Sequence, residues 1–385
     1  FVAKLSENAL TAVSLAFPLQ TLLIAVATGT GVGMNALLSK SLGERNFKKA
    51  NKIADNAAFI YAISYIVFLI LGFTIVKPFY ASQIGNADVE IMNLGIDYLS
   101  TVMIFSFGLF TQIFFERLLT STGRTIFSMT SQLCGAITNI ILDPIFIFVF
   151  GLGITGAATA TIISQVLSAL FVFYFLHQKA DLKVRLLHLD EISSCIGHAG
   201  NIIGLGTVSF MMQLTSSLVN ICCNSVLSAT GGDVYISVMT IVSSVRQIVE
   251  TPIGAMNDGT SPIISYNYGA CRPKRVKKAI VVLACLVLVY TGITWSIILL
   301  APELLIGIFS SDKILIKDAI PALKLYFMAF IFMDLQYIGQ TVFKSLNKKK
   351  HAIFFSLLRK VFIVVPLTYF MPYVLHIGTD GVFMA

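Results

Sequence analysis

Apolar stretches of 20–30 residues recur from one end of this 385-residue chain to the other. Roughly 20 apolar residues suffice for a helix to cross a bilayer, so the pattern leaves few architectures open. Backbone buried in lipid must satisfy its own hydrogen bonds, which helices do within one segment. Strands of a membrane barrel would instead give short alternating segments. Charged residues make up 12% of the chain, about half of the roughly 25% usual in soluble domains. The expectation is an all-α polytopic protein, multi-pass in a cell membrane. Charge clusters and Gly/Pro breaks bound ten spans, at about 9–39, 52–78, 89–118, 125–150, 154–177, 193–229, 233–266, 276–300, 314–343 and 351–375. Several exceed the minimum length and are expected to tilt or bend.

The connections after the odd-numbered spans, with the adjoining helix ends, carry 21 of the 27 Lys and Arg residues, Arg359 and Lys360 among them. Cationic loops stay cytoplasmic, which places Phe1 outside. The same distribution accounts for the net charge of +8 and leaves no nucleic-acid partner to invoke. Arg246 is then the one cation within a span, and Glu250 one helical turn later is its natural neutralising partner. This pair is also a candidate for the lining of a substrate cavity. Glu116 beside Arg117 reads as an interfacial pair. The six cysteines lie mostly within spans without a CxxC pair, favouring reduced thiols over disulfides or a metal site. The five histidines are scattered and no DDxxD cluster occurs, so an intramembrane enzyme is not expected. "GTGVG" at 29–33 sits inside a span with no strand before it, which points to close helix packing rather than a phosphate loop.

Three landmarks recur at nearly one separation. "SKSLGERNFKK" at 39–49 resembles "SYNYGACRPKR" at 265–275, Ser121 pairs with Ser345, and "GITG" at 153–156 pairs with "GTDG" at 378–381. A tandem duplication follows. Its register predicts 6+6 spans in the intact protein, this chain lacking the first and most of the last. The halves would be an N-lobe over 1–180 and a C-lobe over 193–385, joined by a cytoplasmic linker at 178–192 and related by an axis along the membrane normal.

Within the span 125–150, "TNIILDPIFIF" at 138–148 sets an aspartate beside a proline. Asp143 lies about nine residues before the outer turn, roughly 13 Å deep at 1.5 Å per residue, where a lone carboxylate is costly. Asn139 shares its face one turn back. If the neighbouring helix returns as an antiparallel hairpin, Thr161 meets Asp143 at equal depth, and Ala157 offers a backbone carbonyl beside it. Pro144 withholds an N–H from the helix and is expected to kink it. These hard oxygen ligands suit Na⁺ as a metal ligand set, or the carboxyl could bind and release a proton. A structural aspartate held by Asn139 and Thr161 is the plainer alternative.

With these residues in view, the chain resembles the multidrug and toxic compound extrusion (MATE) family, nearest its MepA- and DinF-like branch. The resemblance is carried by "ALTAVSLAFPLQ" at 9–20, "NIILDPIFIFVFGLGITGAATATIISQ" at 139–165 and "SPIISYNYGA" at 261–270. It implies two six-helix lobes around a drug cavity, in a bacterial plasma membrane. The activity implied is export of small organic cations and amphipathic drugs by a monomeric secondary transporter, with Na⁺ or H⁺ as coupling ion and no cofactor. It also implies that Asn139, Asp143, Ala157 and Thr161 form the cation site, joined by an aspartate of a first helix that would precede Phe1. In another branch of the family a C-lobe acidic pair lines the cavity. Asp334 matches one member and Gln213 stands at the position of the other. The alternative is a lipid-linked oligosaccharide flippase of the same superfamily, which would favour about 14 spans and a strongly basic cavity.

Overall fold

The computed structural model describes residues 1–84, 89–179, 192–309 and 313–385. Every regular element among them is helical. In order these are α1 (Glu7–Gly43), α2 (Phe47–Thr74), α3 (Val76–Ile84), α4 (Val89–Ile104), α5 (Phe107–Ser121), α6 (Thr125–Pro144), α7 (Gly153–Lys179) and α8 (Ile192–Gly269). They are followed by α9 (Pro273–Leu300), α10 (Pro302–Ile306), α11 (Lys313–Tyr326), α12 (Phe330–Ser345), α13 (Lys349–Leu357), α14 (Val365–Tyr373) and α15 (Thr379–Met384). Seven helices among the described residues are long and apolar enough to cross a membrane, or eight if α4 and α5, bent by 41° at their junction, form one span. Most of the expected linker, residues 180–191, lies outside the described residues.

The chain divides into two compact units, Phe1–Ser209 and Phe210–Ala385. The start of α8 packs with the first unit: Ile202 and Leu205 join the cluster around Tyr61, Phe68 and Phe110. Small residues make that approach close. A Cβ on Gly29 would lie 3.1 Å from the Gly206 carbonyl oxygen, and one on Gly206 2.8 Å from that of Gly29. A Cβ on Gly33 would collide with the Ile202 carbonyl. The "GTGVG" stretch is therefore a helix-packing surface, with van der Waals contact in place of any phosphate.

The duplication is written into the backbone. Left-handed residues pair at the repeat offset: Arg45 (φ 55°) with Cys271 (φ 54°), Gly123 (φ 82°) with Asn347 (φ 60°), Gly151 (φ 64°) with His376 (φ 54°), and Gly153 (φ 57°) with Gly378 (φ 69°). Non-glycine residues rarely adopt this conformation, so shared positions mark shared turns rather than chance. The side-chain staples repeat too. Ser39 Oγ donates to the Ser121 carbonyl at 3.3 Å, and Ser265 Oγ to the Ser345 carbonyl at 3.0 Å. Gly232 (φ 70°), where the two arms of α8 meet, aligns with Ser6, whose hydroxyl caps α1 by accepting from the Ala9 N–H at 3.0 Å.

Candidate functional site

In α6 the usual polarity of a helix is inverted. Ile126, Leu133, Ile137 and Ile140 are exposed, up to 70% at Ile126, while Ser128, Ser131 and Gly135 are buried. A lipid-facing helix keeps small and polar residues for its neighbours, and steps of three or four carry that inner face onward to Asn139 and Asp143. In α7 the matching face is Ala157, Thr161, Ser164 and Ser168. The two faces close as an antiparallel hairpin. Ser131 Oγ and Ser168 Oγ lie 2.6 Å apart, and each hydroxyl also reaches the other residue's carbonyl, at 3.0 and 3.1 Å. At the turn end, a Cβ on Gly156 would lie 2.8 Å from the Phe146 carbonyl, so only glycine lets the chains meet there.

Between these staples sits the predicted cluster. The Asn139 amide nitrogen donates to Asp143 Oδ1 at 3.2 Å and to Thr161 Oγ1 at 3.4 Å. Thr161 Oγ1 in turn donates to the Ala157 carbonyl at 3.0 Å. Both Asn139 and Asp143 are half-buried rather than turned to lipid. The register differs by about one turn from the sequence expectation: Thr161 is bonded to Asn139, and Asn139 bridges it to the carboxylate. The reason lies at Pro144. There α6 ends, and the next five residues, Ile145–Val149, form a π-helical turn whose wider rings shift the hairpin. Pro144 thus changes the helix type at the site.

Two further residues extend this polar patch and were not legible as site residues. Tyr98 on α4 lies within electrostatic reach of Asp143. Its hydroxyl accepts from the Gln20 amide on α1 at 2.9 Å. Tyr98 thus brings a side chain of α4 into the field of this carboxylate, and Gln20 of α1 is bonded to Tyr98. Glu116 on α5 is a second buried acid, 6% exposed. Its carboxylate accepts from the Gln112 amide at 2.9 Å and the Gln132 amide at 3.0 Å, so it is a buried, amide-held group as well as a neighbour of Arg117.

In the second unit, Arg246 Nε lies 3.6 Å from Glu250 Oε1, and its Nη1 donates to the Tyr326 hydroxyl at 2.7 Å. Asp334 on α12 is 0% exposed. The Thr291 hydroxyl on α9 interacts with its carboxylate, yet neither oxygen makes a hydrogen bond of normal geometry among the described residues. Gln213 is exposed. One expectation is corrected. Arg359 and Lys360 sit near the middle of the apolar span Lys349–Tyr373, in the π-helical turn Leu358–Val364. They line a cavity together with Arg246, so Arg246 is not the one cation within a span. The tally expected for the cytoplasmic side falls from 21 to 19 of the 27 Lys and Arg residues. The five described cysteines are free.

The MatE family model matches residues 1–145 and 208–370. This chain belongs to the MatE family. It is a MepA-like MATE member and a multi-pass cell-membrane protein. The chain is 26% identical over 375 residues to the multidrug export protein MepA of Staphylococcus saprophyticus, covering 96% of this chain and 81% of that protein. Against MepA of Staphylococcus aureus strain NCTC 8325 the identity is 26% over 380 residues, with the same coverage. Among solved structures, an outward-facing multidrug resistance MATE family transporter of the MOP superfamily superposes with a TM-score of 0.91 at 23% identity, over 98% of this chain and 84% of that one. A MOP superfamily transporter from Pyrococcus furiosus Vc1 (DSM3638), whose binding pocket is described as reversed in polarity, superposes with a TM-score of 0.91 at 24% identity, over 100% and 85%. The MATE fold accounts for the two helical units and the paired turns.

Proposed function

We propose that this protein is a multidrug efflux antiporter that exports small amphipathic drugs as Na⁺ or H⁺ moves inward. Kinship with multidrug export proteins supports the drug-export part. The coupling part rests on one observation, the Asn139 amide bridging Asp143 and Thr161 inside the α6–α7 hairpin. A carboxylate at that depth is retained for what it binds. A proton is accepted directly on an Asp143 oxygen. For Na⁺, Asn139 turns its amide so that Oδ1 replaces Nδ2, which gathers four hard oxygens from Asp143, Asn139, Thr161 and the Ala157 carbonyl. In either case the bound ion cancels the charge on Asp143, and Na⁺ also replaces the Asn139–Thr161 hydrogen bond between α6 and α7 by coordination from both helices.

That local change biases alternating access, in which one lobe rocks against the other. A single charge moving inward down 100 mV supplies about 2.3 kcal/mol, enough for roughly fiftyfold concentration of a neutral cargo. The family resemblance makes the cargo organic cations. A second reading, a lipid-linked oligosaccharide flippase, gains support from Arg246, Arg359 and Lys360 lining one cavity.

The test is ethidium movement in protein-containing vesicles under a Na⁺ gradient alone and a pH gradient alone. Efflux that follows one gradient is expected. Movement that ignores both rejects the antiport.

A further inference from the structure

The second unit holds a partly open cavity of about 360 Å³, within the range typical of small-molecule sites. Three cations line it, Arg246, Arg359 and Lys360, and no acidic side chain does. Arg246 is already engaged by Glu250 and Tyr326. Lys360 Nζ donates to neutral groups, the Met212 carbonyl at 2.9 Å and the Ser216 hydroxyl. The buried Arg359 Nε finds no hydrogen-bond partner among the described residues. Glu250 thus stands as one carboxylate against three cations. Asp334 is turned toward Thr291 on α9, and the cavity wall takes its neighbour Met333 instead.

Positive charge held against apolar walls and partly withdrawn from water is costly without a counter-ion. Here the rest of the wall is apolar, with Val219, Met239, Phe330 and Phe332, and polar only at a few points such as Asn220 and Gln336. An arginine fork beside a lysine fits the oxygens of a carboxylate, sulfonate or phosphate. The repeat adds an independent argument. At the offset of 224 that relates Gly123 to Asn347, Arg359 and Lys360 replace Gly135 and Ala136, while Ile363 and Leu367 replace Asn139 and Asp143. The two units have diverged in opposite senses, so the cations are peculiar to the second and not a remnant of the ancestral repeat.

We propose that this cavity binds amphipathic organic anions, with Arg359 and Lys360 holding the charged head and the aromatic wall the apolar body. The proposal goes beyond the efflux reading: it gives this cavity a ligand class of opposite charge to the organic cations named there. Its test is equilibrium binding, which a failure of transport does not affect.

The probes are 2-naphthalenesulfonate and the matching cation 2-naphthyltrimethylammonium, measured on the purified protein in neutral detergent. The sulfonate should bind at least about tenfold tighter than the ammonium. Arg359→Gln and Lys360→Gln should each weaken it about tenfold, as loss of a charged hydrogen bond does, without weakening the ammonium. Lys360→Arg should retain sulfonate binding, which separates charge from packing, and Lys274→Gln at the exposed start of α9 should change nothing. Equal binding of the two probes, or sulfonate binding indifferent to both glutamine variants, overturns the proposal. In nanodiscs, displacement of the sulfonate by phosphatidylglycerol assigns the anion to a lipid, and persistence assigns it to a free amphiphile. Both results keep the anionic chemistry.

Discussion

Thr161→Val changes the site while keeping its shape. The valine removes the acceptor of the 3.4 Å bond from Asn139 and the donor of the 3.0 Å bond to Ala157. The first bond is long, and the Ala157 carbonyl also accepts within the helix. The stability cost should therefore be near the roughly 0.6 kcal/mol average for bonds between membrane helices. The functional cost depends on the ion. If Na⁺ binds, one of four oxygen ligands disappears. Even residues behind a metal's ligands are worth about 10–100-fold in affinity, so the half-saturating Na⁺ concentration should rise at least about tenfold. If a proton is carried instead, Asp143 still accepts it, and the pH dependence should move little. Vesicle transport titrated separately with Na⁺ and with pH reads both. A Na⁺-driven protein whose Thr161→Val variant keeps the wild-type Na⁺ dependence would refute the ligand set.

Three other outcomes follow from packing. Gly33→Leu must push α8 from α1, because even a Cβ meets the Ile202 carbonyl; thermal unfolding in detergent should show a loss of about 1–3 kcal/mol or more. Ser131→Ala and Ser168→Ala act on one shared pair of bonds, so a double-mutant cycle should return a coupling energy of about 0.5 kcal/mol or more, and strict additivity would count against the hairpin. Glu116→Leu strands the Gln112 and Gln132 amides and should destabilise by about 2 kcal/mol or more, whereas Glu116→Gln should cost less, both by thermal unfolding.

What the chain discloses in advance depends on how sharply a residue departs from its surroundings. Asp143 and Asn139 stand out because the residues around them are apolar, and their partnership with Thr161 and Ala157 was legible from helical spacing. The register was not, because nothing in the periodicity announces the π-helical turn after Pro144. The duplication was visible in its turn residues, where Arg45 and Cys271 must both adopt positive φ. Arg359 and Lys360 were misplaced for a simple reason: a basic run at Lys348–Lys350 precedes them, and a tally by loop absorbs them into it. Tyr98 and Gln20 carry no such mark, since each looks like an ordinary polar residue of its helix until the fold packs α1 against α4.

The most direct test of Asp143 as an ion's docking point is Asp143→Asn, which keeps the side chain's size and removes its charge. Coupled efflux should vanish while membrane levels and the thermal unfolding midpoint stay near wild type. Gradient-driven export at the wild-type rate by this variant would contradict the account.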